Sequence, residues 1–288
     1  PEFLRLGTAI ETFRNADRFV IGADDPRVAA KVAKVYEPLN RPIIITNVRS
    51  AEMGKHASNT FLALSISFIN ELADLCDEVG ADVLDVAQIM KLDKRIGKKA
   101  FLSPGLGFAG GTLGRDIRAI KEFGQRYQLP TRLMDATMAV NETRVGLVER
   151  RLMDIYDCLK GLRIGIWGLT YKPGTSTLRQ SLSLRIIDVL AKQGAEIKAF
   201  DPLANLDEVD KPPRFEFCDD PYEVAQNSDA VVLVTEWAEI QSVDFKRVCH
   251  LMKHPVFIDT RNLFDPKEMQ VIGFIYSGIG RGISAKGP

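Results

Sequence analysis

The hydrophobic period of this chain changes at Leu162, and that change limits the fold more than any other feature of the sequence. Before Leu162, apolar residues recur at helical spacing over long stretches; after it, short apolar runs alternate with helical segments. The strand-like runs are RIGIWGL, EIKAFDP, AVVLVTE, HPVFIDTRN and GFIYSGIGR. Strands that alternate with helices predict a doubly wound, Rossmann-like parallel sheet. The sequence therefore predicts an α/β protein in which a long helix joins a helix-rich unit, ending near Leu159, to a C-terminal parallel-sheet unit.

Two short apolar runs near the start of the chain also predict strands, over Arg18–Ala23 and Arg41–Asn47. Between them a helix is expected to begin at Pro26, with Asp25 as its N-cap. An aspartate side chain accepts a backbone N–H at a helix start, and proline suits the first helical turn. The sequence thus predicts a strand–helix–strand segment ahead of the helix-rich unit.

Two long helical patterns follow this segment. Ser50 is the expected N-cap of the first, which Gly80 ends, and the second runs from Arg132 to Leu159. About 30 residues of helix extend about 45 Å, which exceeds a small domain. Because one domain cannot cover apolar faces of that length, the sequence predicts a homodimer through this region.

The densest glycine run, GLGFAGGTLGRD, begins at Gly105 and ends at Asp116. Gly105, Gly107 and Gly110 form the pattern G-x-G-x-x-G, but a dinucleotide turn needs a strand before it and a helix after it. The residues before Gly105 are polar, end in proline and contain no β-branched run, so the pattern does not favour a dinucleotide site. Two interpretations stay open: a plain interdomain loop, or a substrate loop whose glycines let backbone N–H groups approach a phosphate or sugar.

A second candidate loop, IGIWGLTYKPGTSTLRQS, lies between a predicted strand and a predicted helix. It contains a single glycine at the turn, Gly168, and is too long for the dinucleotide fingerprint. Lys172 and Arg179 could reach phosphates across this loop. The alternative is a pair of solvated charges.

The charge balance and the distribution of cysteine and histidine exclude several classes of partner. The 38 basic and 38 acidic residues cancel, which argues against nucleic acid or an anionic membrane as a bulk partner. No apolar stretch reaches the roughly 18 residues of a membrane span. His250 and His254 are the only histidines at helical spacing, without carboxylates or thiols around them, so we expect no metal. The scattered cysteines fit a reducing cytoplasm, where we expect the protein to reside.

In order along the chain, the motifs resemble the UDP-glucose/GDP-mannose dehydrogenase family, whose members oxidise a nucleotide-sugar alcohol to a uronic acid. The resemblance covers essentially the whole chain. It rests on PEFLRLGTAIETFRNADRFVIGADD, RSAEMGKHASNTFLALSISFINE, LDKRIG, GLGFAGGTLGRD, GLTYKPGTSTLRQS, FDP, DAVVLVTEW and IDTRN. It implies three parts: residues 1–48 as a remnant of the N-terminal α/β domain, 49–159 as a central helical dimerisation and substrate domain, and 160–288 as a C-terminal nucleotide-sugar-binding α/β domain.

The resemblance also implies roles for individual residues. Lys55, Asn59 and Asp116 surround the reacting carbon, with Glu2 near the sugar. Lys55 and Asn59 are four residues apart, so they project from one helix face, where a cation and an amide can stabilise an alkoxide. The implied substrate contacts, with Arg95 entering the neighbouring subunit's site, are Phe3, Leu4, Arg95, Ser103, Gly105, Leu106, Gly107, Phe108, Lys172 and Arg261. Arg179 resembles a cofactor contact.

One departure from the family pattern concerns the chemistry directly. The family loop has a cysteine nucleophile where this chain has Thr112. The second oxidation proceeds through a thiohemiacetal and a thioester, and a threonine hydroxyl has a far higher pKa than the roughly 8.5 of a thiol. Neighbouring positions depart as well, among them Ala109, Leu113, Gly114 and Arg115. The resemblance therefore implies the family's binding architecture, with altered chemistry.

Two functions from different classes remain. The first is an NAD-dependent nucleotide-sugar dehydrogenase that stops at the aldehyde or forms acid only slowly, with NAD held by an N-terminal Rossmann domain that these residues do not include. The second is a catalytically inactive module that binds a nucleoside diphosphate sugar and dimerises. A protein-interaction scaffold that uses only the long helix is a weaker third.

Overall fold

The structure, a computed structural model, describes residues 1–5, 7–209 and 213–282. It is a helix-rich α/β fold with a six-stranded parallel sheet, which confirms the predicted fold class. The strands are β1 (Phe19–Gly22), β2 (Ile43–Thr46), β3 (Arg163–Trp167), β4 (Glu196–Phe200), β5 (Glu216–Phe217), β6 (Ala230–Leu233), β7 (Val256–Asp259) and β8 (Ile275–Gly278). The α-helices are α1 (Ala9–Arg14), α2 (Pro26–Tyr36), α3 (Val48–Val79), α4 (Val83–Leu92), α5 (Leu113–Arg126), α6 (Arg132–Thr143), α7 (Leu147–Ile155), α8 (Leu182–Lys192), α9 (Pro221–Ala225), α10 (Ala238–Gln241), α11 (Phe245–Leu251) and α12 (Pro266–Ile272).

The first segment forms the predicted strand–helix–strand unit. β1 and β2 pair in parallel from Phe19↔Ile43 to Gly22↔Thr46. Asp25 caps α2 as predicted, since its carboxylate accepts the Arg27 N–H at 2.8 Å. Alanines on the inner face of α2 then pack against Ile21.

Helix α3 has the predicted length and end but a different N-cap. It contains 32 residues and stops at Gly80, whose φ of 73° is left-handed. The prediction of Ser50 as the cap is wrong: Asn47 is the cap, and its side chain accepts the Ser50 N–H at 2.8 Å. Ser50 is thus the third helical residue, where the backbone N–H needs an external acceptor.

The predicted continuous helix from Arg132 to Leu159 is interrupted. α6 ends at Thr143, a 3₁₀ turn follows over Arg144–Gly146, and α7 then ends at Ile155. Arg144, in the turn, is fully buried and donates to the Gly105 carbonyl at 3.2 Å and to Asp74 at 2.6 Å. The buried guanidinium and the low helix propensity of Gly146 explain the tighter turn.

The C-terminal sheet has the order β5-β4-β3-β6-β7-β8, with every pair parallel. The strand β5 was not predicted, because two residues are too few for a periodic signal. The order reverses between β3 and β6, and ligands of such sheets bind at the carboxyl ends of the strands beside that switch point. One core combines α3 residues Ile69 and Ala73 with the sheet residues Ile164 and Ile258, so the central helices and the sheet pack as one body.

Candidate active site

A buried carboxylate lies between the two helices that pack most extensively in the central unit. Asp116, in the first turn of α5, is 1% exposed, and the Asn59 side-chain amide on α3 donates to its Oδ2. Lys55 lies one helical turn before Asn59 on α3. The structure therefore brings Asn59 and Asp116 into contact and places Lys55 on the neighbouring turn of the same helix.

His56 also lies against this carboxylate, and the sequence analysis missed it. Its Nδ1 is 3.3 Å from Asp116 Oδ1, and Arg115 Nε is 3.3 Å from the same oxygen. The Nδ1 atom is buried and makes no hydrogen bond within the described residues, so the contact has the distance of a charge pair without hydrogen-bond alignment. Its position in the sequence could have indicated it, since His56 lies between Lys55 and Asn59 in the same motif.

The N-terminal residues reach the same helix face through Phe3. The Lys55 Nζ lies 4.9 Å from the centre of the Phe3 ring, and the Arg18 guanidinium lies 4.2 Å from it. Such contacts attract a cation to the face of an aromatic ring. Glu2 accepts the Leu4 N–H and is exposed, as is Leu4 at 43%. Phe3 is thus the N-terminal residue that the structure places beside Lys55.

Thr112 is the residue at which α5 begins. It occupies the N-cap position, but its side chain makes no capping hydrogen bond. Its carbonyl accepts the Asp116 N–H at 3.1 Å, which places it one turn from the carboxylate. Thr112 therefore lies one helical turn from the buried carboxylate.

The glycine-rich loop is anchored by its side chains and clamped by buried amides. Leu106 and Phe108 belong to the hydrophobic core, at 0% and 8% exposure. Asn70 accepts the Gly105 N–H at 2.8 Å, and Asn141 accepts the Phe108 N–H at 2.8 Å. These two backbone N–H groups are consequently occupied, and any phosphate or sugar contact must come from the rest of the loop.

Packing accounts for two glycines of the G-x-G-x-x-G pattern. A Cβ on Gly107 would lie 2.3 Å from the Asn141 side chain, and Gly107 also has a positive φ of 86°. A Cβ on Gly105 would lie 3.0 Å from the Thr260 carbonyl. The pattern therefore reflects close approach of protein to protein. Asn70, Asn141 and Arg144, which hold this loop, were missed because only the folded chain brings them to it.

The sheet unit meets the other side of the loop. The Tyr171 ring lies 3.4 Å from the Cβ position of Gly110, and Lys172 Nζ lies 5.8 Å from the centre of that ring. Arg261, which follows β7, donates to the Val234 carbonyl at 2.7 Å and pairs with Glu236 at 2.9 Å. Both predicted cations thus stand at the carboxyl ends of the strands.

The remaining predicted contacts are spread over the surface. Ser103 and Arg261 line a cavity of about 430 Å³ between α4 and the loop. Arg179 is exposed before α8. The Arg95 side chain is 90% exposed and pairs with Asp93, so it does not reach the carboxylate of its own subunit.

Within the described ranges, no group of histidine, cysteine and acidic side chains could hold a metal, and no helix is long and apolar enough to cross a bilayer.

Neither glycine motif forms the strand–turn–helix geometry of a dinucleotide turn. No strand precedes Gly105, as expected from the sequence. Gly168 does follow a strand, but a Cβ there would lie 2.4 Å from Thr235, so the turn is filled by protein. Asp201, the acid after β4, is 3% exposed, and its oxygens accept from Leu169, Thr170, Leu203 and Trp237. It is therefore unavailable to a ribose.

Fold and site together define a doubly wound α/β protein whose central helix brings an amide to a buried carboxylate and carries a lysine one turn away. Residues 49–143 match the model of the central domain of the UDP-glucose/GDP-mannose dehydrogenase family, and residues 165–266 match that family's UDP binding domain. The chain belongs to this family.

The chain is similar to UDP-glucose dehydrogenases over nearly its whole length. It is 41% identical to UDP-glucose 6-dehydrogenase TuaD of Bacillus subtilis and 40% identical to UDP-glucose 6-dehydrogenase of Rhizobium meliloti, over 98% of this chain. A UDP-glucose dehydrogenase structure from Pyrobaculum islandicum has a TM-score of 0.88 and 32% identity, over 97% of this chain and 62% of that one. The chain spans 61% of the B. subtilis relative and 65% of the R. meliloti relative.

Proposed function

We propose that this chain is the substrate-binding and dimerisation part of an NAD-dependent nucleotide-sugar dehydrogenase. The observation that carries the proposal is the Asn59–Asp116 hydrogen bond beside Lys55, in a chain similar to UDP-glucose 6-dehydrogenases. We propose the same division as the sequence analysis, with residues 49–159 contributing this cluster and residues 160–288 the nucleotide-sugar contacts.

In this proposal the chain's residues act on the alcohol oxygen and its proton. Lys55 and Asn59 stabilise the alkoxide, because a cation and an amide donor favour developing negative charge in a site with little water. Asp116 receives the hydroxyl proton. NAD supplies the hydride acceptor, and since the described residues do not form its site, we place it on residues outside this chain. Calorimetry with the 288-residue chain should therefore detect no micromolar NAD binding.

Nucleoside diphosphate sugar is the proposed ligand, with Lys172 contacting its diphosphate. Replacing Lys172 by alanine should weaken binding of a UDP-sugar at least tenfold, or about 1.4 kcal/mol. Lys192, exposed on α8, gives a matched control variant, Lys192→Ala. An unchanged dissociation constant for Lys172→Ala would remove the residue from the site.

We further propose that oxidation stops at the aldehyde, because Thr112 replaces the nucleophile that makes the second hydride transfer easy. The test uses a chain that includes the NAD-binding domain. It counts NADH formed per nucleotide-sugar consumed and traps aldehyde with hydroxylamine. We expect about one NADH per sugar and a trapped aldehyde. Two NADH at an ordinary rate, with nothing trapped, would contradict the proposal.

A second candidate function is an inactive binding and dimerisation module, and Thr112 favours it. The variant Thr112→Cys separates the two. In a dehydrogenase with an otherwise intact site it raises the fraction of acid product, whereas in a pure binding module it produces no NADH. Binding of the nucleotide-sugar is expected in both cases, so calorimetry verifies that the variant is folded.

We propose a homodimer through α3. Phe61, Phe68 and Leu75 recur every seven residues on this helix and are 67%, 43% and 57% exposed. A repeat of seven keeps one helix face toward a partner. The outward-facing Arg95 is then available to the partner's site. Sedimentation should give a dimer at micromolar concentration, and a charge at the centre of the repeat, Phe68→Glu, should give a monomer.

A further inference from the structure

The carboxylate of Asp116 is almost fully buried, yet the proposed reaction delivers a proton to it. Asp116 is 1% exposed, and the contacts that its oxygens make come from the side chains of Asn59, His56 and Arg115. Asn59 presents its NH₂ donor to Asp116, and arginine does not lose its proton in proteins. Among these three, His56 is the group that can accept a proton near neutral pH.

The imidazole of His56 lies between the carboxylate and an open groove. Its Nδ1 is buried and faces Asp116 Oδ1 at 3.3 Å, while its side chain is 29% exposed. It lines a groove of about 820 Å³ between the first half of α3, the end of α5 and the start of α6. Met53, Phe123 and Leu133 form apolar parts of the groove wall. The ring therefore connects a buried oxygen on one side with solvent on the other.

We propose that His56 takes the proton from Asp116 and releases it into this groove; the role rests on the proposed dehydrogenase function. The O–H bond of the substrate alcohol breaks as its proton bonds to the Asp116 carboxylate. That new O–H bond then breaks as an N–H bond forms at His56 Nδ1. The imidazolium loses one proton to solvent, so each alcohol oxidised releases one proton, while the hydride leaves to NAD. A separation of 3.3 Å is near hydrogen-bond reach, and such contacts often tighten when substrate binds.

Charged and titratable side chains line the groove, contact Asp116 or neighbour His56 in the chain. They lie on α3, on and just after α5, and on α6: Arg49, Glu52, Lys55, Arg115, Tyr127 and Arg132.

The coupling can be measured in the 288-residue chain without turnover. Its three histidines give a simple NMR titration of the ring signals, assigned with His250→Gln and His254→Gln. Replacing Asp116 by asparagine should move the titration midpoint of His56 to lower pH by about one unit, because the imidazolium loses an opposite charge. His254, whose Nδ1 lies 2.9 Å from Asp229, is the matched control and should not move. If Asp116→Asn leaves the titration midpoint of His56 unchanged, the inference is overturned.

Turnover in a chain that includes the NAD-binding domain tests the proton transfer. His56→Gln should lower kcat about tenfold or more at pH 7, flatten the acidic limb of the pH–rate profile, and be partly rescued by added imidazole. His250→Gln, in the sheet unit, should leave kcat unchanged. A wild-type rate and pH profile in His56→Gln would overturn this inference but not the proposed function. A wild-type chain that oxidises no nucleotide-sugar would overturn the proposed function and this role together, while the NMR titration still decides the coupling.

Discussion

Buried aspartates in the central unit and in the sheet unit are held in opposite ways. Asp116 contacts the side chains of Asn59, His56 and Arg115. Asp259, at the end of β7, accepts backbone N–H groups from Arg261, Leu263 and Phe264 at 2.8 to 3.1 Å, and the Tyr276 hydroxyl at 2.8 Å. Both carboxylates are almost fully buried.

In the proposed function, the difference separates a structural carboxylate, Asp259, from a reactive one, Asp116. The sheet fixes the positions of backbone N–H groups at a strand end. An aspartate that accepts from them closes the following turn, and its removal would leave buried donors without an acceptor. Burial raises the pKa of Asp259 in spite of its hydrogen bonds from Tyr276 and the backbone. Side-chain partners on a helix face can instead change protonation or move toward a ligand. The partners of a buried acid are thus more informative than its burial.

The largest effect that this comparison predicts is on turnover. Asp116→Asn should lower kcat roughly a thousandfold, or about 4 kcal/mol, because the amide cannot receive the hydroxyl proton. The free energy of unfolding should change by about 1 kcal/mol or less, since the amide keeps the shape and one acceptor. Steady-state kinetics and urea unfolding check the two expectations, with the exposed Asp154→Asn as control. A large loss of stability would place Asp116 in the same class as Asp259.

The converse effect should appear at Asp259. Replacing it by alanine leaves three backbone donors without an acceptor and leaves the Tyr276 hydroxyl only the Phe264 carbonyl at 3.1 Å, so we expect the free energy of unfolding to fall by at least about 3 kcal/mol. Asp265→Ala, which removes an N-cap of α12, should cost only about 1 kcal/mol. Urea unfolding measures both. Equal losses in the two variants would show that the strand-end carboxylate is an ordinary cap.

The smallest effect concerns the contact between the two regions. The Tyr156 hydroxyl, just after α7, donates to the Asp229 carbonyl at 2.6 Å, and burial, followed by the charge of Asp229, raises the pKa of Tyr156 to about 12. Because this folded-state pKa exceeds the unfolded value of about 10, the stabilisation is present below about pH 10 and is lost as the pH rises through about 12.

Tyr156→Phe should therefore be less stable than wild type by about 1 kcal/mol at pH 8, and the difference should shrink as the pH approaches 12. Urea unfolding at a series of pH values measures this, with the exposed Tyr127→Phe as control. A stability difference that is constant from pH 8 to 12 would mean that the Tyr156 hydroxyl does not titrate with the fold.

Local signals predicted seven of the eight described strands and the helices α2 and α3. The Asp25 cap, the end of α3 at Gly80 and the strands of the sheet depend on residues adjacent in the chain. The cap of α3 was misplaced because Asn47 and Ser50 are both good capping residues, and the choice between them depends on where the preceding strand ends. The break at Arg144 was missed because one of its causes is a partner 70 positions away, and the other, Gly146, is a weak signal alone.

By itself, the sequence determined the fold class, the helix that holds Lys55 and Asn59, and the family. Periodicity, caps and motifs depend only on residues that are close together in the chain. Only the tertiary structure decided that Leu106 and Phe108 anchor the glycine loop, and that Asn141 makes Gly107 necessary. It also decided that His56 faces Asp116. Each of these facts is a contact between residues far apart in the chain, such as the 57 positions between Asn59 and Asp116. Contacts over such separations depend on which helix faces pack together in the folded chain. A pattern in a short stretch of sequence does not specify that packing.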